Sequence, residues 1–152
     1  MGAQVRLWDH HGYAPLTQDR NLKELVRQVG VEVLGEEQVK FSNTWGTGCT
    51  DMGDVSCVMP ALHPDIGGAT GPDHSKDYYI TDPVTACVGS AKVQAAILVR
   101  LLENEGTEAK RILSEGRQDY PTIPEYLAQI DALCMDKQAV VYDAERGAQL
   151  TF

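Results

Sequence analysis

A long alanine-rich segment constrains the fold more than any other feature of the sequence, because its pattern predicts one extended helix. Thr81-Asp82-Pro83 offers a capping side chain followed by proline at the first helical position. Apolar side chains then recur at helical spacing toward Gly106: Val84, Cys87, Val88, Ala91, Ala95, Leu98, Leu101 and Leu102. Since they occupy most of the circumference, we expect this helix to lie against a sheet.

Shorter patterns predict the other elements. The spacing of Leu22, Leu25, Val26 and Val29 predicts a helix that stops at Gly30. A capping box at Thr122-Ile123-Pro124-Glu125 predicts another helix. Further segments are predicted as a helix at 107–113 and as strands at 5–8, 39–41, 55–59 and 139–142.

Composition excludes several classes of protein. The chain has 152 residues, 43% apolar and 23% charged, which predicts one globular domain with its own core. Its net charge of -9, with scattered bases, argues against nucleic-acid binding. No apolar run approaches the roughly 18 residues of a membrane span, and no secretory signal opens the chain. We therefore expect a cytoplasmic protein that is not bound to a membrane.

The four cysteines do not predict a disulfide framework. Cys49, Cys57, Cys87 and Cys134 are separated by 8, 30 and 47 positions, which match neither a zinc knuckle nor a small secreted scaffold. We expect reduced and mostly buried thiols.

The candidate chemistry lies in the glycine- and proline-rich block 46–82. This block contains His63, His74 and a single base, Lys76, together with six aspartates, namely Asp51, Asp54, Asp65, Asp73, Asp77 and Asp82. Carboxylates and imidazoles that converge on loops can bind a divalent metal. The alternative is that the aspartates cap helices and stabilise turns.

Four motifs in a fixed order resemble a known family. They are Gly48-Cys49-Thr50-Asp51-Met52-Gly53-Asp54-Val55-Ser56, then Met59-Pro60-Ala61-Leu62-His63, then Gly71-Pro72-Asp73-His74-Ser75, then Asp82-Pro83 opening the alanine-rich helix. Together they resemble the C-terminal part of metallo-amidohydrolases of the aminoacylase and carboxypeptidase G type. Within that group the chain looks most like the aminobenzoyl-glutamate hydrolase subfamily.

The resemblance implies an α/β fold class, specifically a partial zinc-aminopeptidase-like catalytic domain with a mixed sheet and flanking helices. It divides a single domain 1–152 into the exit from a missing lid domain at 1–18, the C-terminal part of the catalytic domain at 19–116, and a C-terminal helix and strand at 117–152. The N-terminal half of such an enzyme, with most metal ligands and a Glu-Glu general base, is not in this sequence. We therefore expect a fragment of a longer enzyme.

The resemblance also implies roles for particular residues. Full-length relatives hydrolyse amide bonds of N-acyl amino acids or aminobenzoyl-glutamate-like compounds with zinc or manganese, and His74 matches one metal ligand. Asp51, Asp54, Gly68 and Gly71 match positions that hold loops or approach a substrate.

No catalytic residue is assigned in this chain, because Glu36-Glu37 lies outside the matching motifs. We expect the chain alone to bind no metal, to be inactive and to form a homodimer. The alternative is a non-catalytic folded remnant that binds itself or a partner.

Overall fold

The structure is a computed structural model that describes residues 4–42 and 48–151. The first two residues of the glycine- and proline-rich block 46–82 and the first three residues of the predicted lid exit lie outside these ranges. Two compact units are present: one contains Met1–Tyr13 and Tyr120–Phe152, and the other contains Ala14–Asp119.

The larger unit is built on the packing of two helices. Helix α1 spans Arg20–Leu34, a single 3-10 turn spans Glu36–Gln38, and the short helix α2 spans Met52–Val58. Strands β2 (Ala69–Thr70) and β3 (Tyr79–Ile80) form an antiparallel pair. A π-helical turn at Val84–Gly89 leads into α3, Ser90–Glu115.

The predicted long helix is present, but its packing partner is another helix. Leu25 and Val29 of α1 form the buried core with Val93 and Ile112 of α3. The expectation that α3 lies against a sheet is wrong, because the strands described for this unit form only the two-residue β2–β3 pair. Residues 103–106 leave helical geometry, so α3 consists of two helical segments, 90–102 and 107–115. The second segment contains the helix predicted at 107–113.

Helix α1 is longer than its sequence pattern predicts. The predicted stop, Gly30, is buried inside the helix, and α1 ends at Gly35, whose φ of 92° is left-handed. Gly30 lacks a side chain where Val39 packs, 3.2 Å from the position that a Cβ atom would take. The strand predicted at 39–41 is also wrong, since these residues belong to none of the observed strands.

The strand predicted at 55–59 is wrong as well, because most of this segment is helical. The carbonyl of Asp51 accepts hydrogen bonds from the backbone N–H groups of Asp54 and Val55, at 3.1 and 3.3 Å, and α2 begins there. β-Branched side chains such as Val55 favour strands only weakly, and tertiary packing overrides that preference.

The smaller unit combines one helix with two antiparallel pairs of strands. Strand β1 (Arg6–Asp9) pairs antiparallel with β4 (Met135–Gln138), and β5 (Val140–Asp143) pairs with β6 (Gly147–Leu150). These confirm the strands predicted at 5–8 and 139–142 to within a residue or two, whereas β4 and β6 were not predicted. Helix α4 spans Ile123–Leu133. The N-cap half of the predicted capping box is confirmed, since Thr122 Oγ1 accepts from the Glu125 N–H at 3.3 Å.

The fold class is therefore confirmed only at the level of mixed α and β content, 48% helix and 14% strand. The predicted mixed sheet is wrong for the residues that the structure describes. Their strands form three separate two-stranded antiparallel sheets. Sheets of this size supply no broad apolar surface, so helix–helix contacts form the core of the larger unit.

One helical stretch, Val84–Glu115, is long and apolar enough to cross a membrane by length and composition. The core helix of a soluble protein passes the same test, but only 6% of the apolar window is buried here. Lys92 falls near the middle of the uninterrupted helical part, where a charge is costly in a bilayer.

Candidate functional site

His74, the predicted metal ligand, lies in the loop of the β2–β3 hairpin. It is exposed and has a φ of 59°, in the left-handed region that non-glycine residues seldom adopt. Turn hydrogen bonds shape this loop: the N–H of Ser75 donates to Pro72 O at 3.3 Å, and the N–H of Tyr78 donates to Ser75 O at 3.2 Å. The imidazole is thus displayed to solvent on a turn of defined shape.

Gly71 closes the same loop by a backbone contact. Its φ is 95°, and a Cβ atom there would come within 2.1 Å of Asp77 O. The backbone at Gly71 and the backbone at Asp77 are therefore in direct contact across the loop that carries His74. Any other residue at position 71 would both strain φ and push the loop apart.

Gly68 anchors the hairpin to the start of the long helix. Its carbonyl accepts from the N–H groups of Thr81 and Asp82, at 2.9 and 3.0 Å. Its φ is 103°, and a Cβ atom would meet Asp82 O at 2.6 Å and Ala86 N at 2.8 Å. The close backbone approach at Gly68 therefore joins two segments of the chain, and an approach of Gly68 to a substrate stays a prediction.

Asp82 caps the long helix, as one of the two interpretations of the aspartates requires. Its carboxylate accepts from the N–H groups of Val84 and Thr85, at 3.0 and 3.1 Å, and from the Thr85 hydroxyl at 2.6 Å. The hydroxyl bond is the main reason that the pKa of Asp82 lies below its ordinary value. Asp82 therefore has a structural role at this helix start.

Asp54 holds a neighbouring segment of chain. It lies in the first turn of α2 and accepts the N–H of Ala14 at 2.8 Å. Two residues later, Ser56 Oγ accepts the N–H of Thr17 at 3.1 Å and donates to Gly53 O at 2.7 Å. Asp54 and Ser56 thus fasten the segment 14–17 to α2. The expectation that Asp54 holds a ligand-bearing loop stays a prediction.

Asp51 has a different surrounding. It immediately precedes α2, is exposed, and contributes its backbone carbonyl to the first helical turn. Over the described residues, no group of three or more histidine, cysteine, aspartate or glutamate side chains is arranged to hold a metal ion. His74 is therefore one candidate donor rather than a complete metal centre.

A polar cleft of about 620 Å³ occupies another part of the larger unit. The start of α1, the end of α2 and the end of α3 form it, and Asp19, Arg20, Ser56, Glu115 and Arg117 are among its lining residues. Sequence reasoning did not find this cleft, because its residues come from three separate stretches of chain. None of the candidate residues Asp51, Asp54, Gly68, Gly71 and His74 lines it.

The cysteines depart from their prediction in burial. All four are free, but only Cys57 is buried, while Cys49 and Cys87 are exposed and Cys134 is intermediate. Burial is the main cause that raises the pKa of the Cys57 thiol, with smaller contributions from the charges of Asp119 and Asp54. Cys57 thus behaves as a small apolar core residue.

Comparison with known proteins assigns no family. No protein-family model matches the chain, and no curated protein or solved structure matches it.

Proposed function

We propose that this chain is the C-terminal part of the catalytic domain of a metal-dependent amidohydrolase. In the complete enzyme it contributes His74 as one ligand to a divalent zinc or manganese ion. The substrates are small amides, of the N-acyl amino acid or aminobenzoyl-glutamate type. The finer fold, a zinc-aminopeptidase-like domain, belongs to the same proposal.

The observation that carries the proposal is the setting of His74. A metal ligand has to be accessible and held in one orientation by its surroundings. His74 is exposed on a left-handed turn, and the hairpin beneath it is closed at Gly71 and anchored at Gly68. These are the positions at which the motif resemblance expects a ligand and its supports.

The exposed surface of the chain supports a role as part of a larger protein. Its accessible area is 11553 Å². Two separate globular bodies of the sizes of the two units would expose only about 9,000 Å² by the usual scaling of surface with mass. The excess, about 2,500 Å², is about three times the roughly 800 Å² that one partner buries in a standard protein–protein interface. The missing part of the enzyme would cover such a surface.

The described residues do not fit a complete hydrolytic metal site. Such a site needs three protein ligands, an open water position and a base that accepts a proton from that water. Here no three candidate ligands come together among the described residues, and Glu36 and Glu37 lie together in an exposed 3-10 turn after α1. A bound ion would polarise the amide carbonyl and activate water. This chain's part would be to hold one imidazole at that ion through the hairpin.

The test is reconstitution with the segment encoded upstream of this chain. The isolated chain should not hydrolyse aminobenzoyl-glutamate above a metal-free control, whereas the longer protein should do so and lose activity to a chelator. In the longer protein, His74→Ala should lower bound metal and activity by a factor of about 100 or more. His63→Ala is the matched control, since His63 is also exposed and belongs to a neighbouring motif.

Two results would overturn the proposal. Chelator-sensitive turnover by the isolated chain would show that a base and ligands exist here that the structure does not identify. Unchanged metal content in His74→Ala would show that this histidine is not a ligand.

The second candidate function is a non-catalytic module that binds itself or a partner. The observation that favours it is the number of large apolar side chains at the surface, which includes several on α3. Reconstitution separates the two functions, because a purely associating module gains no hydrolytic activity with any upstream segment.

A further inference from the structure

One stripe of α3 and of the turn before it is apolar, exposed and regularly spaced. Its members follow one another at intervals of four, three, four, three and four residues: Val84, Val88, Ala91, Ala95, Leu98 and Leu102. All six are exposed. We call these residues the seam.

The spacing of the seam is the spacing of helix–helix packing. Alternating intervals of three and four residues keep side chains on one face for docking against another helix. In the π-helical turn at Val84–Gly89, residues four apart are still nearly one turn apart, so Val84 and Val88 also lie on the same face. Val93, at the opposite side of the helix, is the residue that faces α1 in the core. The seam is thus a second packing face, separate from the one that the fold uses.

We propose that the seam binds the same seam of a second copy of this chain in antiparallel orientation. Side-chain sizes match in this orientation: Val84 lies opposite Leu102, Val88 opposite Leu98, and Ala91 opposite Ala95. Each half of the pair then presents two valine–leucine layers, and the alanines meet near the twofold axis. Small residues there allow close approach of the two helices, and antiparallel helix dipoles attract.

The area of the seam is sufficient for a specific dimer. Between 47% and 68% of each of Val84, Val88, Leu98 and Leu102 is exposed, and Val99 beside them is 61% exposed. Together with the two alanines they offer about 600 Å² per chain, so that a pair removes on the order of 1,200 Å² from water. This reaches the lower bound of stable interfaces.

The surroundings of the seam are compatible with pairing. The helix carries Lys92 and Arg100 and no acidic residue between positions 84 and 102, within a chain of net charge -9. Arg100 forms an ion pair with Glu32 of α1, with 2.7 Å between Nη2 and Oε2. Lys92 lies beside the seam, where its apolar stem can pack while the ammonium stays in water. The helical break after Leu102 ends the seam.

Light scattering coupled to size exclusion at micromolar concentration tests the inference. The intact chain should have twice the 16.6 kDa mass of one copy. Leu98→Glu should raise the dimer dissociation constant at least about 100-fold, because a charge enters the interface from both chains. Leu113→Glu is the matched control, since Leu113 is 53% exposed in the second segment of α3 and does not belong to the seam. It should leave the dimer intact.

Ala91→Lys provides a second perturbation that removes no apolar packing within one chain. It should also yield a monomer, with the helical circular dichroism of the intact chain. A monomeric intact chain, or a Leu98→Glu or Ala91→Lys variant that remains dimeric, would overturn the inference.

Disulfide trapping tests the orientation. In a background with Cys49 and Cys87 replaced by serine, mixed Ala91→Cys and Ala95→Cys chains should cross-link on oxidation, whereas Ala91→Cys alone should not. Cross-linking of Ala91→Cys alone would mean a parallel pair and would refute the register.

Flotation with phosphatidylcholine–phosphatidylglycerol vesicles tests the competing membrane interpretation. If the intact chain floats with the vesicles and the Leu98→Glu variant does not, the seam binds a lipid surface, and the inference of a dimer is overturned. None of these measurements involves metal or substrate, so their failure is distinguishable from failure of the proposed function.

Discussion

Replacing Gly53 by alanine should destabilise the larger unit, although alanine is the better helix former. Gly53 lies in α2, where alanine in place of glycine ordinarily gains about 1 kcal/mol. Here a Cβ atom would come within 1.7 Å of Ala14 O and 2.7 Å of Ala14 C. Both are backbone atoms, so the segment 14–17 has to move away from α2.

The cost follows from the contacts that this movement breaks. They are the Ala14 N–H to Asp54 hydrogen bond of 2.8 Å and the Thr17 N–H to Ser56 hydrogen bond of 3.1 Å. A bond to a carboxylate contributes about 1.5–3 kcal/mol and a neutral bond about 1 kcal/mol. After the gain in helix propensity, Gly53→Ala should lower the free energy of unfolding by about 1.5–3 kcal/mol.

Urea unfolding followed by circular dichroism measures this change. Gly48→Ala is the control in the same motif, because nothing lies within 4 Å of its Cβ position, and it should stay within about 0.5 kcal/mol of the parent. Asp54→Ala should cost about 1.5–3 kcal/mol in the parent but little in the Gly53→Ala background, where its partner has already moved. Equal effects in both backgrounds, or a Gly53→Ala variant as stable as the parent, would refute the reasoning.

Two further predictions concern ionisation. The Arg6 side chain donates hydrogen bonds to Asp136 and lowers the pKa of that carboxyl to about 2, below its ordinary value of 3.8. The contribution of this pair to the free energy of unfolding should therefore be complete above pH 3.8 and disappear as the pH falls through 2. In urea unfolding measured from pH 7 to pH 2, Asp136→Asn should reduce the loss of stability at acidic pH. An unchanged loss of stability would exclude the Arg6–Asp136 pair as its source. Thiol labelling of the native chain should modify Cys49 and Cys87 much faster than Cys57, whose pKa is raised by burial; equal rates would mean that the core around α2 opens readily.

The sequence predicts local elements better than their partners. The long helix, its start at Asp82 and the N-cap at Thr122 follow from local chemistry, and all are present. The partner of α3 could not be predicted in this way. An apolar helix face fits a sheet or another helix equally well, and the choice depends on which surface the rest of the chain can supply.

The errors at Gly30 and at 55–59 have one cause. In both places a glycine allows another segment to pack closely, Val39 at Gly30 and Ala14 at Gly53. These contacts join residues nine and 39 positions apart, so the local patterns of a helix stop and of a β-rich run give no indication of them. The motif predicted that Asp54 accepts backbone N–H bonds from a ligand-bearing loop, whereas the donor in the structure is Ala14, which lies 40 positions away in the chain.

The separation of α1 and α3 along the chain has a consequence for synthesis. Val29 and Val93 share one core although 64 positions separate them. At ordinary elongation rates the ribosome needs about 3–13 s to make that interval. During this time the apolar face of α1 has no native partner, and the nascent chain exposes it to chaperones before α3 emerges from the exit tunnel.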